Sequence, residues 1–276
     1  MTLEPGLYVA ATPIGNLGDV TYRVVEALKA ADLILCEDTR HTARLCAAYG
    51  IETRRAPYHE HNAEEVRPAI LAKLLEGASI CLVSDAGTPL ISDPGYKLVR
   101  EARDAGVKII PLPGPSALVA GLTASGAPTD RFLFAGFPPA KAGARENFFR
   151  DLAGIEATLV FYEAPSRLAE SLAAMAAALG DRRACVAREI TKLHEDFREE
   201  SLSALAAHYA AHPPKGEIVV IIHPARAVGE TVDVDALLKK ALQSMTLKDA
   251  AAAVAGASGM PRKDVYARAL ALKGGR

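Results

Sequence analysis

Residues 79–95 read Ser79-Ile-Cys-Leu-Val83 followed by Ser84-Asp-Ala-Gly-Thr-Pro-Leu-Ile-Ser-Asp-Pro-Gly95. The first five are a short apolar run of the kind that forms a strand buried on both faces. The next twelve contain two Asp, two Gly, two Pro, two Ser and one Thr, so they break regular structure. A structureless loop this long, anchored by a buried strand, is normally functional. Its amides and carbonyls suit the polar edge of a nucleotide-like ligand.

Outward from this stretch the same rhythm repeats. Leu7–Ala11, Leu33–Cys36 and Val107–Ile110 are further short apolar runs, separated by helical spacing at Val20–Ala30, Thr42–Tyr49, Ala63–Leu75 and Lys97–Ala105. Strands alternating with helices predict βαβ units and a parallel sheet. The segment Pro111-Leu-Pro-Gly-Pro115 should stop any regular element and divide the chain. Beyond it, strands are expected at Phe132–Ala135, Thr158–Phe161, Ala184–Ala187 and Glu217–Ile222, with helices at Ala117–Leu122, Ser166–Leu179 and Leu202–Ala210. The polar run Asp196–Ser201 suggests an extra strand and hence a mixed second sheet. Residues 137–144 hold too many breakers to be core and should form an exposed loop. After residue 228 three helical patterns follow, Val234–Gln243, Leu247–Ala257 and Arg262–Lys273, the last two joined by a glycine turn as in a helix-turn-helix. The expected organisation is two α/β domains, 1–112 and 113–228, and a helical module, 229–276.

Composition bounds the function. Of 276 residues half are apolar and 24% charged, with a net charge of −1, so no global field draws the chain to nucleic acid or membrane. From Lys239 onward, however, eight basic residues stand against two acidic ones. That imbalance suits either a solvated tail or a phosphate-contacting module. The sequence has no basic leader and no long apolar segment, so a cytoplasmic protein without membrane spans is expected. Cys36, Cys46, Cys81 and Cys185 lack metal-ligand spacing, and three of them sit in apolar runs and read as small core residues of a reducing compartment.

Four more stretches carry chemistry. Ala11-Thr-Pro-Ile-Gly15-Asn-Leu-Gly18-Asp19 lies between a strand and a helix, where backbone can approach a ligand closely. Glu37 and Asp38 follow a strand end, where open α/β sheets bind ligands; they could accept from a hydroxyl, or Asp38 could cap the next helix. Tyr58-His59-Glu60-His61-Asn62 offers two histidines but no third ligand for a metal, and Asn62 suits a helix cap. Arg188-Glu189-Ile-Thr-Lys192-Leu-His-Glu195 sets charges of both signs past another strand.

These segments, with Pro113-Gly-Pro-Ser116, resemble in order the tetrapyrrole-methylase superfamily of S-adenosylmethionine-dependent methyltransferases, within it the ribosomal RNA small subunit methyltransferase I branch. The resemblance implies two α/β/α domains holding S-adenosylmethionine between them, a closing helix-turn-helix-like module, and a homodimer. It implies methyl transfer to the 2′-hydroxyl of a cytidine in small-subunit rRNA. By motif, the cofactor would meet Pro13 and Gly15, the loop residues Asp85, Ala86, Gly87, Thr88, Pro89 and Ile91, then Pro115 and Ser116. Phe161, Ala187, Lys215 and Gly216 would line the second-domain wall. A general base is expected among Glu37, Asp38, His59, His61 and Glu189, with the Glu37/Asp38 pair favoured. Arg40, Arg44, Arg54, Arg55, Lys248, Arg262, Lys263 and Arg268 are the expected phosphate contacts. No metal is required. The alternatives are a methylase of the same fold acting on a tetrapyrrole and a non-catalytic RNA-binding factor.

Overall fold

The computed structural model describes residues 3–91, 95–225, 234–243, 245–258 and 260–274. Ser92, Asp93 and Pro94 of the long loop, the expected 228/229 boundary and Arg276 lie outside these residues. The chain forms two compact units, 1–224 and 225–276.

The first unit contains two sheets. One is built from β1 (Gly6–Ala10), β2 (Leu33–Cys36), β3 (Arg55–Pro57), β4 (Ser79–Leu82) and β5 (Ile109–Leu112). Their order is β3-β2-β4-β1-β5, and every pairing is parallel. β2 and β4 are buried at all four positions, as two covered faces demand. On one face α1 (Tyr22–Ala30) and α2 (Thr39–Tyr49) pack Val24, Leu28 and Leu45 against Tyr8, Ile34 and Cys81. On the other, α3 (Ala63–Leu75) and α4 (Tyr96–Asp104) pack Ile70, Leu74 and Leu98 against Leu7, Leu35 and Leu82.

One expectation fails here, and one strand was not anticipated, for the same reason. β5 runs through Pro111, which pairs with Val9, and β3 ends on Pro57. Both are edge strands, where a proline removes no ladder bond from a second neighbour.

The second sheet has the order β6-β7-β10-β8-β9, formed by Phe132–Phe134, Thr158–Glu163, Ile218–Ile222, Arg183–Arg188 and Asp196–Ser201 respectively. β6 and β7 are parallel, whereas β10 is antiparallel to both β7 and β8, and β8 to β9. The polar run is thus an edge strand of a mixed sheet, as anticipated. α5 (Ala117–Ala124) covers one face, and α6 (Ala142–Asp151), α7 (Leu168–Leu179) and α8 (Leu202–Ala211) the other. The expected loop at 137–144 is cut short by α6, whose Phe149 is fully buried; its sparse apolar spacing hid it.

The second unit holds α9 (Val234–Ala241), α10 (Leu247–Ser258) and α11 (Arg262–Gly274). Their own small core is Leu238, Ala251, Val254, Val265 and Ala269. Among the described residues, no helix is long and apolar enough to cross a membrane.

Candidate active site between the two sheets

The carboxyl ends of β1, β2 and β4 converge on one crevice. Thr12, just past β1, exchanges backbone hydrogen bonds of 2.8 and 3.0 Å with Gly87 of the long loop. The Thr12 hydroxyl donates to the Ser84 carbonyl at 3.1 Å, and the Thr88 hydroxyl donates to the Pro115 carbonyl at 3.1 Å. Asp85 accepts from the Asp38 amide at 3.0 Å. Four segments far apart in sequence are therefore cross-tied by backbone and short side-chain hydrogen bonds. Such ties keep loop amides in one arrangement before a ligand arrives.

The opposite wall comes from the turn after β8, which is strained. Glu189 and Thr191 hold φ of +52° and +69°, values that cost non-glycine residues free energy. The strain is held by ion pairs. Lys192 donates to Glu189 at 2.8 Å and to Glu217 at 3.2 Å, and the Glu189 carboxylate also accepts from the Glu217 amide at 3.0 Å. The Lys192 hydrogen bond, then the Glu217 amide, lower the Glu189 pKa. Two glycines make room for this clasp. A Cβ at Gly216 would collide with the Glu189 carboxyl, and one at Gly15 would lie 2.5 Å from Lys192 Cγ.

Between the walls lies a cavity of about 370 Å³. Of the sequence-proposed cofactor residues, Asp85, Ala86, Gly87, Thr88, Ile91, Ser116 and Gly216 line it. Pro13, Gly15, Pro89, Pro115, Phe161, Ala187 and Lys215 do not. Pro115 and Gly15 sit behind the lining through the contacts just described, and Lys215 is exposed. Phe161 is fully buried on the far side of β7, against Phe149. Successive strand residues face opposite ways, so its neighbour Tyr162 lines the cavity instead. Tyr162 also accepts from the Leu118 amide at 3.2 Å and meets the exposed Phe137 edge-on, 5.5 Å between ring centres. Ala187 lies under the lining, packed with Ile14, Ile190 and Val219.

Sequence reasoning also missed Glu163 and Glu217. Glu163 is a buried carboxylate paired with Arg167 at 2.7 Å and accepting from the Ser171 hydroxyl. With Asp85 they put three carboxylates and no Lys or Arg on the lining. Arg167 and Lys192 already pair Glu163 and Glu217, so Asp85 is the lining carboxylate left to meet a positive group of a ligand with an apolar body.

The structure separates the expected acid pair. Asp38 caps α2, accepting from the Arg40 amide at 2.8 Å, and forms a 2.9 Å ion pair with the Arg40 guanidinium. Those bonds, the Arg40 side chain first, lower its pKa to about 2, which makes it a weak base. Glu37 has the opposite fate. Burial, and then the charge of Asp85, raise its pKa, opposed by His59. β2 and β3 pair with Cys36 opposite Pro57, so Glu37 and the 58–62 segment leave adjacent strand ends together. There Asn62 does not cap α3; its side chain accepts from the His59 amide at 2.9 Å and donates to the Pro57 carbonyl at 3.0 Å. His61 lies exposed on the same turn, its ring centre 6.0 Å from that of His59. Among the described residues no three His, Cys, Asp or Glu side chains form a metal-binding group, and all four cysteines are buried and free.

Of the proposed phosphate contacts, Arg40, Arg44 and Arg54 are exposed and Arg55 is half-buried on β3. Lys248, Arg262 and Lys263 gather on one recess of the helical unit, but Arg268 pairs with Asp235 at 3.6 Å.

Residues 6–206 match the model of the tetrapyrrole (corrin/porphyrin) methylases, and residues 228–273 that of the RsmI C-terminal HTH domain. A ribosomal RNA small subunit methyltransferase I of Mesorhizobium japonicum is 53% identical over 98% of this chain and 93% of its own. The chain belongs to the ribosomal RNA small subunit methyltransferase I family of tetrapyrrole methylases. Its Escherichia coli O157:H7 relative is 44% identical over 97% of this chain and 96% of its own. Among solved structures, a diphthine synthase matches with a TM-score of 0.62 at 17% identity, over 79% of this chain and 89% of its own. The uroporphyrin-III-C-methyltransferase of Thermus thermophilus matches with 0.58 at 18%, over 79% and 94%. At those identities the two structures speak for the methylase fold alone. The helix-turn-helix expected from the glycine turn agrees with the second family model.

Proposed function

We propose that this methyltransferase uses S-adenosylmethionine to methylate the 2′-hydroxyl of a cytidine ribose in small-subunit ribosomal RNA. The observation that carries the reading is the cavity. Its glycine-loop backbone, apolar Ile14, Ile190 and Val219, and the Asp85 carboxylate fit a ligand with a nucleoside body and a cationic group. When bound, S-adenosylmethionine supplies an already activated methyl group. The chain must then orient the acceptor and exclude water, work that can lower the barrier by roughly 7–11 kcal/mol. The Asp85–Ile91 loop, Ser116 and Gly216 would hold the donor, with Tyr162, Glu163 and Glu217 replacing Phe161, Ala187 and Lys215 in the second wall.

A ribose hydroxyl must lose its proton as it attacks. Glu37 is the better-suited acceptor, because its half-buried carboxylate has a raised proton affinity and Asp38 is spent on capping and on Arg40. Arg40 and Arg44 lie on α2, which follows this end of the sheet, while Arg54 and Arg55 enter β3 at its opposite end; all four are proposed as phosphate contacts. The same reading takes the protein as a cytoplasmic homodimer with the small ribosomal subunit or its RNA as partner, on the strength of the family resemblance.

The test is a three-way labelling assay. Methyl-labelled S-adenosylmethionine is offered with under-methylated small subunits, with their deproteinised RNA, or with uroporphyrinogen. Label on a cytidine ribose oxygen is expected. Label on the tetrapyrrole, or on neither substrate, would overturn the reading in favour of a porphyrin methylase or a binding factor.

A further inference from the structure

The helical unit carries a recess of about 440 Å³ lined by Lys248, Arg262, Lys263 and Tyr266. Arg262, Lys263 and Tyr266 stand at i, i+1 and i+4 in the opening turns of α11. Residues three and four apart share a helix face, so both cations stand on the tyrosine's side of α11 and line the recess with it. Lys248, in the first turn of α10, completes the recess from the neighbouring helix. No carboxylate lines it. The nearest in sequence to Lys248, Asp249, accepts from the Thr246 hydroxyl at 2.6 Å.

Tyr266 is the informative member. The buried face of α11 is carried by Val265 and Ala269, both fully buried, whereas Tyr266 is 40% exposed. The core of the unit is closed without its ring. Phosphate attraction alone would need only the cations, and duplex RNA is read mainly through shape and backbone. An aromatic ring set among cations is instead the combination that binds single strands, with phosphates on the charges and a base stacked on the ring.

We infer that this recess takes an unpaired nucleotide of the RNA substrate, its phosphates on Lys248, Arg262 and Lys263 and its base stacked on Tyr266. The inference rests on RNA being the substrate, and it adds that the module reads single-stranded rather than duplex RNA.

The test measures binding of the full-length protein to a short unstructured RNA and to a hairpin duplex of equal length, across a salt series. Replacing the three cations together (K248Q/R262Q/K263Q) should weaken binding and flatten the salt dependence by about 2 in log–log slope. Tyr266→Leu should weaken single-strand binding roughly ten-fold, leave the salt slope unchanged and barely affect the duplex. Tyr266→Phe keeps the ring and should bind as wild type. A 2-aminopurine base in the single strand should be quenched on binding by the wild type and by Tyr266→Phe, but not by Tyr266→Leu. If Tyr266→Leu binds the single strand as tightly as wild type, or weakens both RNAs equally, the stacking inference falls while the RNA reading stands. If the triple charge variant leaves RNA affinity unchanged, the recess is no RNA contact and the inference falls, while the labelling assay still decides the substrate.

Discussion

The cavity between the two sheets and the recess on the helical unit are chemical opposites. The first is walled by backbone loops, carboxylates and aliphatic side chains, held by inter-loop hydrogen bonds and a Lys192 clasp. The second is three exposed cations beside a tyrosine, with no hydrogen bond or ion pair on any of the three among the described residues. A carboxylate-lined, pre-tied pocket suits a small cation bound in one pose. An open cationic surface suits a polyanion that must be caught from many approaches. A net charge of −1 conceals this division, because the chain keeps the two signs in different places.

On the proposed reading the cavity holds the methyl donor, and proton removal falls to Glu37, outside its lining. The largest effect on rate should therefore come from Glu37. Glu37→Gln is expected to lower kcat by about 10²–10⁴-fold with donor affinity unchanged in equilibrium binding. Because burial raises the Glu37 pKa, the wild-type rate should fall as pH drops through that raised value and the carboxylate gains its proton. A variant that turns over at the wild-type rate would return the base to another residue.

The two sites should also answer differently to salt. If the three cations of the recess each meet a phosphate of a single strand, raising monovalent salt from about 50 to 200 mM should weaken RNA binding roughly 20-fold. Donor binding in the enclosed cavity should change less than about two-fold over the same range. Equal salt sensitivity of the two ligands would break the comparison outright.

The wall of the cavity offers a finer test. Gly216 holds φ of +92° against the Glu189 carboxyl. Gly216→Val should push Glu189 aside and weaken donor binding roughly ten-fold, given strain of about 1–3 kcal/mol at such positions. Gly126, at φ +73° with open space around its Cβ position, is the control. Gly126→Ala should cost stability but leave donor affinity alone.

Much of this was legible in residues 79–95 and their repeats. A parallel sheet announces itself because two buried faces require continuous apolar runs, and Leu33–Cys36 and Ser79–Leu82 are such runs. The edges were not legible. Arg55–Pro57 carries neither alternation nor an apolar run, because an edge strand needs neither. At the site, the glycine loops stood out by composition, but walls did not. Choosing Phe161 over Tyr162 missed the face by one residue, which period-two alternation turns into the opposite side of a sheet. Glu163 and Glu217 carried no local signal, since only the tertiary fold brings a strand end and a strand start to one cavity. Asp38 and Glu37 look alike in sequence; a helix cap on one and burial of the other set them apart.

The smallest expected effect concerns the clasp itself, and its sign follows from linkage. Lys192 and the Glu217 amide hold the Glu189 pKa below its ordinary value of 4.5. A carboxylate lowered in the folded state adds stability at pH above that ordinary value, and loses it as pH falls through the lowered one. Glu189→Gln keeps an oxygen to accept from the Glu217 amide but drops the charge that pairs with Lys192. It should cost about 1 kcal/mol near pH 7, seen as a melting temperature lower by about 2–4 °C. As pH falls through that lowered value the wild type should lose that advantage, and the two melting curves should converge. A gap that persists unchanged at low pH would show that the clasp acts through shape rather than charge.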